Sequence, residues 1–341
     1  MAITPTLLQD AIVLLQSDDA FNDFEKRHDE YGALQAFDAN KNKLLSPSQV
    51  AALKKSIVQV EKIPVFNRYS PSLITAPSCS ITGGRPTTAF ATLNYAYVGF
   101  EVTIIPSENQ ANYKTEAEDL AWQLAGGWRG IFENLDTKGV TALETNKSTS
   151  LVTSTIKNIT TNASDYTYAG EEKEMFMDVP SLMAINSISG PYEDVANTEA
   201  QSTRVRIDAF GANNYYDAKG AIQRAGSFRH YLSNRVAVPD GSREAHYVFP
   251  TGAVGVYNWI HPDNRLGRQA GNKEWDSMKD PMFGYDWEVY SIKDCVDNTA
   301  VSGNARAYGQ TMQIGAYFAF LTQYASGNAK PIIKMLRNDQ A

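Results

Sequence analysis

Apolar residues near the start of the chain recur at helical spacing: Leu7, Leu8, Ala11, Ile12, Leu14 and Leu15. That spacing predicts an amphipathic helix. Ser46-Pro47-Ser48 then opens a second short helix running through Ser56, with proline where the first turn tolerates it. From Val58 the pattern changes. VQVEKIPVFNRYSPSLI and TTAFATLNYAYVGFEVTII are β-branched and aromatic, and Gly83-Gly84-Arg85-Pro86 marks a turn between them. Residues 58–105 therefore predict one long hairpin-like arm. Too few neighbours lie within such a segment to cover it, so the arm is expected to reach away from the body.

Thr115 with Glu118 forms a capping box. After it Leu120, Leu124, Trp128, Ile131, Phe132, Leu135 and Leu143 fall on one face of a helix that runs to about Asn146. Gly126, Gly127 and Gly130 interrupt it, at about 1 kcal/mol each relative to alanine, so close approach of another backbone is expected there. Residues 148–170 read as loop or edge strands. Pro180 to Ile188 reads as a short helix, and Thr198 as the cap of a helix through Phe210. Three β-rich runs follow: AHYVFPTGAVGVYNWI, FGYDWEVYSIKDC and TMQIGAYFAFLTQYA, the last alternating strictly through Met312, Ile314, Ala316, Phe318 and Phe320. The order predicts an α+β chain whose central sheet joins segments distant in sequence.

The composition fits one large or two interlocked domains: 341 residues, 43% hydrophobic and 20% charged. A formal net charge of -7 argues against a dedicated nucleic-acid-binding module but not against a protein that encloses nucleic acid. The first residues have no basic region or cleavage site of a signal peptide, and no apolar run is long enough to span a membrane.

A β-arm over residues 58–105, a Pro106-Ser107 break, the helix EAEDLAWQLAGGWRGIFENLDTKGVTALETNK and the phrase VPSLMAINSISGPYEDVANTEAQSTRV together resemble tailed-bacteriophage major capsid proteins of the Hong Kong 97-like fold. The resemblance covers about residues 55–330. It implies an N-terminal helical arm (1–57), an E-loop (58–105), a P-domain with its spine helix (106–173), an A-domain (174–300), and returning P-domain strands with a C-terminal tail (301–341). It further implies a structural, non-enzymatic subunit that assembles into hexamers and pentamers around double-stranded DNA. Its expected place is the virion capsid, after synthesis in the host bacterial cytoplasm. Expected partners are further copies of itself, a portal and accessory or decoration proteins, with DNA contacted non-specifically and no membrane. An encapsulin-like compartment with a protein cargo shares the fold and is the alternative.

No catalytic, cofactor-binding or metal residue is expected. Asp38-Ala39-Asn40-Lys41-Asn42 starts like a calcium loop, but Lys43 and Gln49 stand where glycine and a bidentate glutamate are needed, so a solvated turn is expected. Gly83 to Pro86 lacks the lysine of a phosphate loop. His28, His230, His246 and His261 show no paired ligand spacing, and Cys79 and Cys295 read as free thiols. Trp259, Trp275 and Trp287, in a chain with 18 tyrosines, leave a carbohydrate-active enzyme or binding module as a reading from another class. The arm tip at Gly83 to Pro86 and the glycine-bearing helix are the expected contact regions. Lys54, Lys55, Lys330, Lys334 and Arg337 are expected to face the shell interior.

Overall fold

A computed structural model describes residues 5–17, 30–66, 88–106, 115–147, 192–197, 228–237, 244–265, 267–297, 306–322 and 331–337. The arm tip, the expected helices at 180–188 and 198–210, and the segment 148–170 lie outside these residues. So do His28, Cys79 and Lys330, and the side chains of His230, Cys295 and Arg337.

Four helices are described: α1 (Pro5–Ser17), α2 (Gly32–Leu44), α3 (Pro47–Lys55) and α4 (Glu116–Thr145). α4 begins where the sequence places it. Thr115 Oγ1 accepts from the Glu118 amide while the Glu118 carboxylate accepts from the Thr115 amide, the reciprocal cap the spacing predicts. Its thirty residues extend about 45 Å at ~1.5 Å per residue. Ser46 caps α3 in the same way through Gln49.

α2 corrects the sequence reading. The segment taken as a solvated turn, Asp38 to Asn42, is helical, and Ala33, Leu34, Ala36 and Phe37 of the preceding turns are fully buried. The amide of Asn40, buried with them, bonds Glu193 and the Ala36 carbonyl, and its oxygen accepts from the Gly252 amide at 2.7 Å. A polar side chain with partners from other elements reads in sequence like a turn residue. Only those partners make it interior.

The strands are β1 (Lys62–Phe66), β2 (Thr88–Thr92), β3 (Ala96–Ile104), β4 (Tyr192–Asn197), β5 (Phe228–Ser233), β6 (Glu244–Pro250), β7 (Val254–Trp259), β8 (Arg268–Ala270), β9 (Lys273–Lys279), β10 (Asp286–Asp297), β11 (Arg306–Thr322) and β12 (Ile333–Arg337). A six-stranded sheet has the order β3-β11-β10-β9-β8, with β7 beside the far half of β11. Its ladders are all antiparallel. β3 and β11 are some two hundred residues apart in the chain, so the central sheet does join distant segments. A four-stranded sheet has the order β12-β6-β4-β5.

The arm is shorter at its base than the pattern suggests. Ile63 pairs with Ala91 and Pro64 with Phe90 in a two-stranded β1/β2 ribbon. The second run then divides at Leu93 to Tyr95, and its remainder becomes β3, paired with β11 from Ala96 to Ile104. Leu93 is buried at this bend in a small core with Leu45, Val50, Leu53, Ile63, Ala91 and Leu321. That apolar anchor separates ribbon from sheet. β7 to β10 share a sheet with β11, while β4 to β6 share one with β12.

α4 lies across the six-stranded sheet. Met312, Ile314, Ala316 and Phe318 of β11 are buried on the side facing it, as their alternation predicts. Trp287, Phe132, Phe318, Phe283, Tyr285 and Tyr31 make a continuous chain of tilted and edge-to-face rings between sheet, α4 and α2. Trp287 is completely buried and Trp259 nearly so, and Trp275 lies against Tyr290. These tryptophans belong to packing, not to one ligand groove, which removes the ground for the carbohydrate-binding alternative.

Candidate assembly surface

Three features stand open among the described residues. The first is the ribbon. Its Ile63/Ala91 face packs on the small core, and its opposite face turns Phe90 out at 59% exposure across from Pro64. Ile57 and Val58, just ahead of β1, are 78% and 69% exposed. Two adjacent apolar side chains this open form a patch that contact with another surface would stabilise.

The second is the outer face of α4. Gly127 is tight: a Cβ there would lie 2.2 Å from the Phe100 ring of β3, and that ring sits edge-on to Trp128. The close approach is thus made by a side chain, not by the backbone that the sequence suggested. A Cβ at Gly126 or Gly130 would meet nothing within 4 Å. Packing among the described residues does not explain these two, and Trp122, one turn before Gly126, is 52% exposed.

The third is the edge at β3. In an antiparallel ladder alternate residues turn both backbone groups outward. At Thr103 these are taken by Gln123 of α4, whose Oε1 accepts the amide at 2.9 Å and whose Nε2 donates to the carbonyl at 2.8 Å. Gln123 also donates to Asp119, which places that carboxylate beside the edge. Tyr97, Gly99 and Glu101 turn outward by the same alternation. They border an open groove of about 520 Å³ lined also by Phe100, Gln313 and Ile314. The other edge ends in β8, where Arg268, Gln269 and Ala270 are exposed. Gly271, at a φ of 64°, helps to turn β8 into β9.

Several interior polar groups tie elements together. Asp280, almost completely buried, accepts from the amides of Met282, Phe283, Gly284 and Tyr285 and from the Trp287 indole. Asp136 joins three elements: it accepts from the Leu34 amide at 2.9 Å and the Ser233 hydroxyl at 2.6 Å, with Arg235 at 3.8 Å. Burial pushes its carboxyl up, against those partners. Glu144 receives Lys147, the Tyr247 hydroxyl at 2.5 Å and Lys334 at 3.0 Å, tying the end of α4 to the four-stranded sheet. Burial alone would raise its carboxyl, but these bonds outweigh it and hold the value down to about 2. His246 Nδ1 lies 3.0 Å from Asp194, both fully buried. His261 caps its own turn, accepting from the Asp263 amide. Among the described residues no group of three or more His, Cys, Asp or Glu is placed to hold a metal. No described helix is long and apolar enough to cross a membrane.

Of the lysines expected to face a lumen, Lys54 pairs with Asp286 at 3.0 Å and Lys334 with Glu144, while Lys55 is exposed. The exposed sheet edges and the apolar Ile57/Val58 step were not singled out in the sequence. The signal for the latter was present as two adjacent apolar residues between a helix stop and a strand.

No protein-family model matches the sequence, and no curated protein matches it. Among solved structures the chain is similar to one described as the Cyanophage Pam1 capsid asymmetric unit, with a TM-score of 0.45, 10% identity, and 85% of this chain and 87% of that one covered. It is similar to one described as the capsid of Ralstonia phage GP4, with a TM-score of 0.43, 10% identity, and 84% and 86% covered. A structure from Mycobacterium phage Bobi gives a TM-score of 0.43 at 16% identity, covering 89% of this chain and 96% of that one. These TM-scores lie below 0.5.

Proposed function

We propose that this chain is the major capsid subunit of a tailed-phage head with the Hong Kong 97-like fold, a structural protein that closes into pentamers and hexamers around double-stranded DNA. The observation that carries the reading is the β1/β2 ribbon, anchored by Ile63, Ala91 and Leu93 on one face while Phe90 and Pro64 stay open on the other. A ribbon of two strands is marginal alone, and its open face gains stability when another surface covers it. In this reading the ribbon is the base of the E-loop, α4 is the spine helix of the P-domain, and β4 to β6 belong to the A-domain. Rings of one chain need head-to-tail contacts, which the open edges and the outer face of α4 can supply. The portal, decoration proteins and non-specific contact with DNA follow from the same assignment.

Negative-stain electron microscopy of the purified protein, with its mass by light scattering, tests this. Closed shells or five- and six-membered rings are expected. A monodisperse monomer of 37.6 kDa that stays monomeric on concentration would overturn it. Nuclease-protected DNA inside the particles is expected, and a protein cargo in its place would favour the encapsulin-like compartment.

A further inference from the structure

We propose that the two edges of the six-stranded sheet bind each other between copies, the β3 edge of one subunit receiving the β8 edge of the next, so that the sheet runs on from subunit to subunit. The occupant of the β3 groove is thus a second copy of this chain. This deepens the shell reading and rests on it for ring closure.

Three observations lead to it. On the β3 side, Tyr97, Gly99 and Glu101 present outward backbone groups beside an open groove, and among the described residues the edge is closed off at Thr103, by Gln123. On the β8 side, Ala270 closes the hairpin with Lys273, so alternation turns the backbone groups of Gln269 outward. The two edge strands themselves are also opposite in charge, with Asp263 and Glu274 beside the basic one. Residues 268–273 carry Arg268 and Lys273 and no acid, whereas the β3 edge carries Glu101, with Asp119 bound to the same Gln123. Arg268 lies 3.5 Å from Asp263, both more than half exposed, which leaves its guanidinium accessible to a second carboxylate.

The strand count fixes the sense of the pairing. Four antiparallel steps separate β3 from β8 along the sheet, so the two edge strands run in the same direction within one subunit. A sheet that continues head to tail joins them in parallel, and because β8 is three residues long the contact is weak in isolation. Weak, repeated and heterologous is what a closed ring of one chain requires. Pairing of β3 with β3 would instead bring two copies of the acidic edge together.

The test is a charge swap on the full chain. Glu101→Lys reverses one edge, and Arg268→Glu with Lys273→Glu reverses the other. Each reversal is expected to raise the concentration at which assembly begins by roughly tenfold. Mixing the two variants restores complementarity at every junction of an alternating six-membered ring and at all but one junction of a five-membered ring, and is expected to lower the assembly concentration well below that of either variant alone. The reversals lie on opposite edges, so a folding defect in either would not be repaired by mixing. Assembly of either reversal at the wild-type concentration, or a mixture no better than its components, overturns the contact while leaving the shell reading standing. A wild-type chain that never assembles removes both.

Discussion

Replacing Asp280 by asparagine tests how far one buried carboxylate organises the sheet. Its Oδ1 accepts three amides, at 3.0 Å from Met282, 2.6 Å from Phe283 and 3.2 Å from Gly284. Its Oδ2 accepts the Tyr285 amide at 2.8 Å and the Trp287 indole at 3.0 Å. An asparagine keeps the shape but has one acceptor oxygen. In its better orientation it serves the three Oδ1 donors and turns an NH2 group toward the two donors of Tyr285 and Trp287. Each buried donor left unpaired costs about 1–3 kcal/mol, and some relaxation of the turn is available, so Asp280→Asn should destabilise by about 2–4 kcal/mol. The indole is the more costly loss, because Trp287 packs on Phe132 of α4 and Phe318 of β11 and has no room to turn its nitrogen to water. The assay is urea unfolding of the unassembled chain, followed by tryptophan fluorescence and circular dichroism together. A change below about 0.5 kcal/mol, within the range of ordinary surface substitutions, would refute the view that this carboxylate holds the turn and Trp287 in place.

Glu144→Gln should show its cost mainly at neutral pH. A carboxyl held at about 2 in the folded chain contributes stability above its unfolded value of about 4.3, and that contribution is lost as pH falls toward 2. The side chain is 42% exposed, so screening limits the effect to about 1 kcal/mol. Urea midpoints of wild type and variant should therefore converge between pH 4.5 and 2, and a gap that does not change with pH would count against it. Gly126→Ala and Gly130→Ala should each stabilise the unassembled chain by about 0.5–1 kcal/mol through helix propensity. Gly127→Ala should destabilise by about 1–3 kcal/mol, because its methyl meets the Phe100 ring; equal thermal melting of the three would contradict the packing described. Ser233→Ala removes the hydroxyl that bonds Asp136 at 2.6 Å and should cost about 1–2 kcal/mol in urea unfolding; no change would show that the Leu34 amide and Arg235 satisfy the carboxylate without it.

Where local rules act alone, the sequence was sufficient. The Thr115/Glu118 box starts α4 and Ser46 starts α3 as read, since a cap is made within four residues. The alternation of Met312 to Phe318 marks the buried side of β11, because a strand has only two faces. Other features depended on partners remote in the chain. Asp38 to Asn42 is helical because Asn40 finds partners in Glu193 and Gly252 and Phe37 packs edge-on to Phe320, so its turn-like composition misleads. The single apolar run from Thr87 to Ile105 is one stretch in sequence but two strands in space, divided where Leu93 is drawn into a core with Leu45 and Leu321. The three glycines of α4 look alike in sequence. One faces Phe100 and two face open space, and helical phase together with the placement of β3 decides which. The β-rich character of the runs on either side of Gly83 to Pro86 could be read from residue order. Which backbone edges and apolar faces stay uncovered could not, because exposure is what remains after every distant segment has packed.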